Sequence, residues 1–204
     1  MTAEGWRPVN TREFLRCRNA LLVHFSTVMS SHDYRYPADL YNAWDRPELE
    51  LSFSTILPGD TFKIAQGGRG GAEGSVGLLI DIGPETVVRS VHHDDSGSSE
   101  IGSFGHVPSK AACSDSITMR ANSNEWRVSK YRPIGIFILG PPYLVRQSVN
   151  HPLMGQTDME LEITLDRIVA DFPSKRIISA NTSDFIEYRS DQWSAVAINV
   201  LMPE

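Results

Sequence analysis

Leu21-Leu22-Val23-His24-Phe25, closed by Ser26-Thr27, is a compact apolar run too short for a helix and ended by small hydroxyl residues. Such a run between polar boundaries reads as a buried strand. Leu49 to Ile56 alternates apolar and polar positions and stops at Pro58-Gly59-Asp60, a turn in which proline presets φ and glycine allows the reversal. Val76 to Ile82 and Thr86 to Val91 flank Gly83-Pro84 and predict a hairpin. Ile117 to Met119, Glu125 to Val128 and Ile134 to Leu139 are strand-like, and Pro141-Pro142 closes the last of them. Arg176 to Ala180, Asp184 to Tyr188 and Ser194 to Met202 complete the strands, the last two joined through Arg189-Ser190-Asp191-Gln192.

Helices are fewer. Asn10 can cap a helix over 11–19 with Glu13 reaching back, and 37–45 starts on a proline and puts Leu40, Tyr41 and Trp44 on one face. Behind a Thr157 cap, Leu161, Leu165, Ile168, Val169 and Phe172 follow helical spacing, so 157–172 is expected to be the longest C-terminal helix. The sum is a β-rich α+β fold with short helices and long Gly/Ser loops, read as one domain over 1–204 whose core sheet holds 21–27, 49–56, 124–130 and 133–139. Two loops stand out, 66–77 with six glycines and 92–110 rich in Gly, Ser, His and Asp. Both are expected to be mobile, the first beside a ligand cleft.

Composition limits the partners. With 41% apolar and 22% charged residues the chain can build a core, and its formal charge of −6 makes nucleic acid an unlikely target. Cys17 and Cys113 have no CxxC partner, which suits a reducing compartment. No basic-then-apolar leader opens the sequence and no apolar stretch is long enough for a membrane helix, so the expectation is a soluble cytoplasmic protein.

Several motifs can be set aside. The glycine loop does not end in Gly-Lys-Ser/Thr, and Gly68-Arg69-Gly70 is followed by Glu73 and a strand where a dinucleotide fingerprint needs a glycine and a helix. There is no GxSxG elbow and no HExxH pair. His92-His93-Asp94-Asp95 with His106 is metal-like in residue type, but adjacent residues on a strand point to opposite sides and a polar loop tip explains it as well, so no metal is assigned.

Three segments carry the functional reading. His24 lies in the strand ending in Ser26 and Thr27; Leu51-Ser52-Phe53-Ser54-Thr55 offers hydroxyls on alternate positions; Asn122-Ser123-Asn124-Glu125-Trp126-Arg127-Val128 opens a strand with a carboxylate. In order and rough spacing they resemble the three signature strands of the ADP-ribosyltransferase superfamily, which implies that family's split-sheet core and NAD as substrate. On that resemblance His24, Ser26 and Thr27 would contact the nicotinamide ribose and amide, and Ser52 and Ser54 would support the NAD pocket. Glu125 would bind the ribose and stabilise the oxocarbenium-like transition state as nicotinamide leaves. Ser123 stands where arginine-specific members carry an acidic or amide residue, so arginine as acceptor is not implied. The acceptor is unknown, a protein being one option.

The chemistry is sound without the family, because one placed carboxylate can stabilise charge developing at an anomeric carbon. Arg120, Arg127, Lys130, Arg132 and Arg146 surround Glu125 in sequence and suit a pyrophosphate, while Arg69 in the glycine loop could clamp an anion. Two other readings stay open. One is a non-enzymatic β-rich binding or assembly domain, the other a metal-dependent hydrolase using the 92–106 loop.

Overall fold

The computed structural model describes residues 8–25, 34–35, 40, 44–60, 75–92, 109–118 and 124–203, the side chains of 8–9, 34–35, 146–151 and 156–160 excepted. Ser26, Thr27, Arg69, residues 66–74 of the glycine loop and 93–108 of the second loop therefore lie outside the described residues. So does most of the expected 37–45 helix.

Nine strands form one mixed sheet: β1 (Leu21–His24), β3 (Leu51–Ile56), β4 (Val76–Asp81), β5 (Val87–His92), β6 (Glu125–Ser129), β7 (Arg132–Ile138), β10 (Ile177–Ala180), β11 (Phe185–Arg189) and β12 (Gln192–Ala195). Their order is β12-β11-β10-β7-β4-β1-β3-β6-β5. A smaller sheet has the order β2-β8-β9, from Tyr34–Arg35, Tyr143–His151 and Gly155–Ile163. The helices are α1 (Pro8–Cys17), α2 (Lys110–Thr118), α3 (Leu165–Asp171) and α4 (Ile198–Leu201). The fold is thus β-rich α+β, with a large mixed sheet and few short helices among the described residues.

The four expected core strands all belong to the large sheet. The Gly83-Pro84 hairpin does not form: β4 pairs with β1 and β7, and β5 pairs with β6. Local turn residues there reverse the chain, but the apolar faces find better partners elsewhere. Ile117 and Thr118 are not a strand but the end of α2, and Met119 lies outside the described residues. The long helix over 157–172 is instead β9 followed by α3, capped by Thr164, whose hydroxyl accepts from Arg167 N at 3.2 Å. The stretch 194–202 likewise divides into the end of β12 and α4. β11 and β12 do pair as expected, through Ser190 and Asp191, both at positive φ (48° and 60°), as a two-residue reversal between twisted strands requires.

Core strands are buried along their whole length where the sheet is covered on both faces. Leu21, Leu22, Val23, Leu78, Leu79, Ile136, Phe137 and Ile178 are all at 1% exposure or less. Runs of this kind without alternation mark strands packed on both sides. The sheet is also tied by clasped carboxylates. Asp81, fully buried, accepts from Arg12 at 2.9 and 2.8 Å and from Arg132. Glu187 accepts from Arg176 at 2.8 and 2.9 Å and pairs with Arg189 at 3.0 Å. Burial works to raise the Glu187 carboxyl, but the hydrogen bonds and charges of Arg176 and Arg189 outweigh it and hold the group below the ordinary range.

Candidate functional site

The three segments chosen from sequence are neighbours in space: β1, β3 and β6 lie side by side in that order. Antiparallel partners share a face of the sheet, so the register assigns each side chain to one side. Val23 faces Ser54 and Phe53 faces Trp126, while His92 on β5 faces Glu125. Ser52, Ser54, Glu125, Arg127 and His92 therefore belong to one face. His24 belongs to the other with Phe53, whose ring lies 5.5 Å from the imidazole.

Ser52 links the two. Its backbone carbonyl accepts from His24 Nδ1 at 2.5 Å, and its hydroxyl donates to Glu125 Oε1. Because a carbonyl only accepts, Nδ1 carries the proton and the imidazole is oriented by the strand itself. His24 is 4% exposed, Ser52 is exposed and Glu125 is half-buried. The carboxylate and hydroxyl are thus the accessible members, and the imidazole supports them from behind. A site in which His24 and Glu125 project into one pocket is not what the register builds.

Glu125 is held in place at several points. Asn124, 4% exposed, uses its side chain to accept Thr55 N at 2.7 Å and its carbonyl to accept Ser54 Oγ at 2.9 Å. These bonds clamp the start of β6 onto β3. On the far side Trp126 is fully buried and donates from Nε1 to Ser116 Oγ at 3.0 Å, which fastens the strand to α2. Cys113 in the same helix is buried, and that desolvation pushes its thiol up to about 12, against a small lowering from the Ser109 backbone. It is a packing group.

His92 completes the cluster. It is 9% exposed, stands opposite Glu125 in the register, and among the described residues its Nε2 is buried without a hydrogen-bond partner. Facing pairs on antiparallel strands hold their Cβ atoms about 4.5–5.5 Å apart. Neither His92 at this site nor Asn124 as its clamp is visible from sequence spacing, because both depend on which strands pair.

Of the basic residues near Glu125 in sequence, Arg120 and the side chain of Arg146 lie outside the described residues, and Arg127 and Arg132 go to different partners. Arg127 pairs with Glu50 at 2.6 Å, and Arg89 reaches the same carboxylate at 2.5 Å. Arg132 turns to Asp81 instead. Two arginines on one glutamate leave a net positive charge beside the Ser52–Glu125 pair and several guanidinium N–H groups unspent. No group of three His, Cys, Asp or Glu able to hold a metal occurs among the described residues. Among the described residues no helix is long and apolar enough to cross a membrane. No protein family, curated protein or solved structure matches the chain.

Proposed function

We propose that the protein cleaves the nicotinamide–ribose bond of NAD and transfers ADP-ribose to an acceptor, with Glu125 as the catalytic carboxylate. The observation that carries this reading is the Ser52 hydroxyl bonded to Glu125 while His24 is bonded to the Ser52 carbonyl. The Ser52 hydroxyl reaches the carboxylate from the neighbouring strand on the face where Ser52 is exposed, and the His24 imidazole holds the Ser52 carbonyl from the opposite face.

As the glycosidic bond breaks, its electron pair neutralises the nicotinamide ring and positive charge grows on the ribose. An ionised carboxylate at that point stabilises the transition state more than the ground state. The Ser52 hydroxyl fixes the rotamer of Glu125, and the Arg89–Glu50–Arg127 group supplies net positive charge for the phosphates. His24 acts here as a positioning residue, through Ser52, in place of the direct nicotinamide contact that the sequence resemblance implies.

The test is nicotinamide release from NAD by wild type and by Glu125→Gln, with circular dichroism to follow the fold. The glutamine keeps the shape and accepts from Ser52, so folding and much of the NAD affinity should persist while turnover falls about 10²–10³-fold. Absence of both nicotinamide release and NAD binding in the wild type would favour the binding-domain reading.

A further inference from the structure

We propose that a second site, a cleft at the carboxyl ends of β7 and β10, binds an uncharged, flat aromatic ring system. β7 and β10 pair in parallel, Ile177 opposite Ile136 and Ile178 opposite Phe137. Here the chain leaves β7 through Gly140-Pro141-Pro142 and leaves β10 through Asn181-Thr182, and the space between them is a cleft of about 490 Å³. That volume falls within the roughly 300–1,000 Å³ of small-molecule sites. β4, β1 and β3 separate it from β6 and Glu125 in the strand order.

Its walls are rings. Pro141, Pro142 and Tyr143 line it, as does Trp193 on β12. Trp193 packs on Tyr188 with centroids 5.3 Å apart, which leaves it braced and half-buried. Gly140 makes the turn possible: its φ is 141°, and a Cβ there would lie 2.6 Å from the Pro142 carbonyl oxygen.

Among the described residues the lining holds no acidic or basic side chain. Tyr143 is kept in its neutral form, since burial first and the nearby Tyr188 second raise its phenol. The interior hydroxyls are already committed. Ser75 Oγ accepts from Leu144 N at 3.1 Å, and Ser179 Oγ donates to Ile138 O at 2.8 Å. Among these residues a charged ligand would lose hydration with no counter-charge to meet, whereas a flat ring can pack on the proline, tyrosine and tryptophan rings. The ligand class follows from this neutrality and the ring-rich lining.

The experiment is an amide NMR titration with indole as the neutral probe, and indole-3-carboxylate and tryptamine as its anionic and cationic counterparts. Saturable shifts at Leu144, Ser179, Ala180 and Asn181 with indole are expected, with both charged probes at least ten-fold weaker. Trp193→Ala should weaken indole at least ten-fold. Thr182→Trp, at an exposed position on the rim, should block it while leaving the rings in place, and it serves if Trp193→Ala disturbs the sheet. Shifts that do not saturate or lie away from the cleft, equal affinity for all three probes, or unchanged binding in Thr182→Trp would each overturn the site.

Discussion

The two halves of the large sheet are built to different rules. In β1, β4 and β10 every residue is buried, as is the second half of β7, and residues of both parities, such as Leu78 and Leu79 or Ile136 and Phe137, enter the core. From β3 through β6, burial alternates: Phe53, Trp126 and Val128 go inward, while Ser52, Ser54, Glu125 and Arg127 stay at the surface or half-covered. The break falls between β1 and β3, where Val23 pairs with Ser54. One half spends both faces on stability, and the other keeps one face free for polar groups. Function is expected where the second face was not needed for the core.

The same device appears in both halves and isolates that difference. Asp81 on β4 and Glu50 just before β3 are each gripped by two arginines. Asp81→Ala should produce the largest effect. The carboxylate is fully buried, so its removal strands Arg12, whose side chain is only 17% exposed, without a counter-charge. Breaking a buried pair from one side costs about 3–5 kcal/mol, and the half-exposed Arg132 argues for the lower end. Chemical denaturation should show a loss of about 3 kcal/mol. A loss under about 1 kcal/mol would mean that the two halves are equally open to water.

Gly77→Ala probes the covered half through its packing. A Cβ at Gly77 would meet the His24 carbonyl oxygen and Val23 Cγ1, each at 2.7 Å, and Phe25 Cδ1 at 2.9 Å. The carbonyl belongs to β1 and cannot swing aside without disturbing the ladder. Overpacking of this kind costs about 1–3 kcal/mol. Because β1 also presents His24 to Ser52, the same variant should lower nicotinamide release by more than its folded fraction explains. A variant as stable as wild type would show that β1 and β4 can separate freely.

This division also explains what could be read from the sequence. β1, β3, β6 and β7 were legible because each is a short apolar or alternating run with a clear stop, as at Pro58-Gly59 or Gly140-Pro141-Pro142. β9 was not, since Leu161, Leu165 and Ile168 have helical spacing across what is in fact a strand followed by a helix, and Thr164 rather than Thr157 is the cap. α2 was hidden because Lys110–Thr118 has only three buried positions, Cys113, Ser116 and Ile117, and hardly any apolar stripe. At the site, Glu125, Ser52 and Ser54 could be picked by residue type and order. The face that His24 occupies and the placement of His92 opposite Glu125 could not, because both follow from strand pairings between residues far apart in the chain.

Glu50→Gln should give the smallest effect and closes the comparison with Asp81. Its arginine partners are largely in water, with Arg89 at 68% and Arg127 at 45% side-chain exposure, so solvent replaces most of what the carboxylate supplies. Exposed ion pairs contribute about 0–1 kcal/mol, and glutamine retains one acceptor for either guanidinium. Stability should change by less than about 1 kcal/mol, and that change should shrink further in high salt as the charges are screened. The electrostatic consequence at the site runs the other way. Without Glu50 the two arginines carry two positive charges in place of one beside the Ser52–Glu125 pair, which should tighten binding of the NAD phosphates and lower KM at low ionic strength while leaving kcat nearly unchanged. Steady-state kinetics at two salt concentrations would check this. A fall in stability as large as that of Asp81→Ala would show that the polar half is as closed as the core half. A KM that is unchanged or raised would remove these arginines from the proposed NAD site.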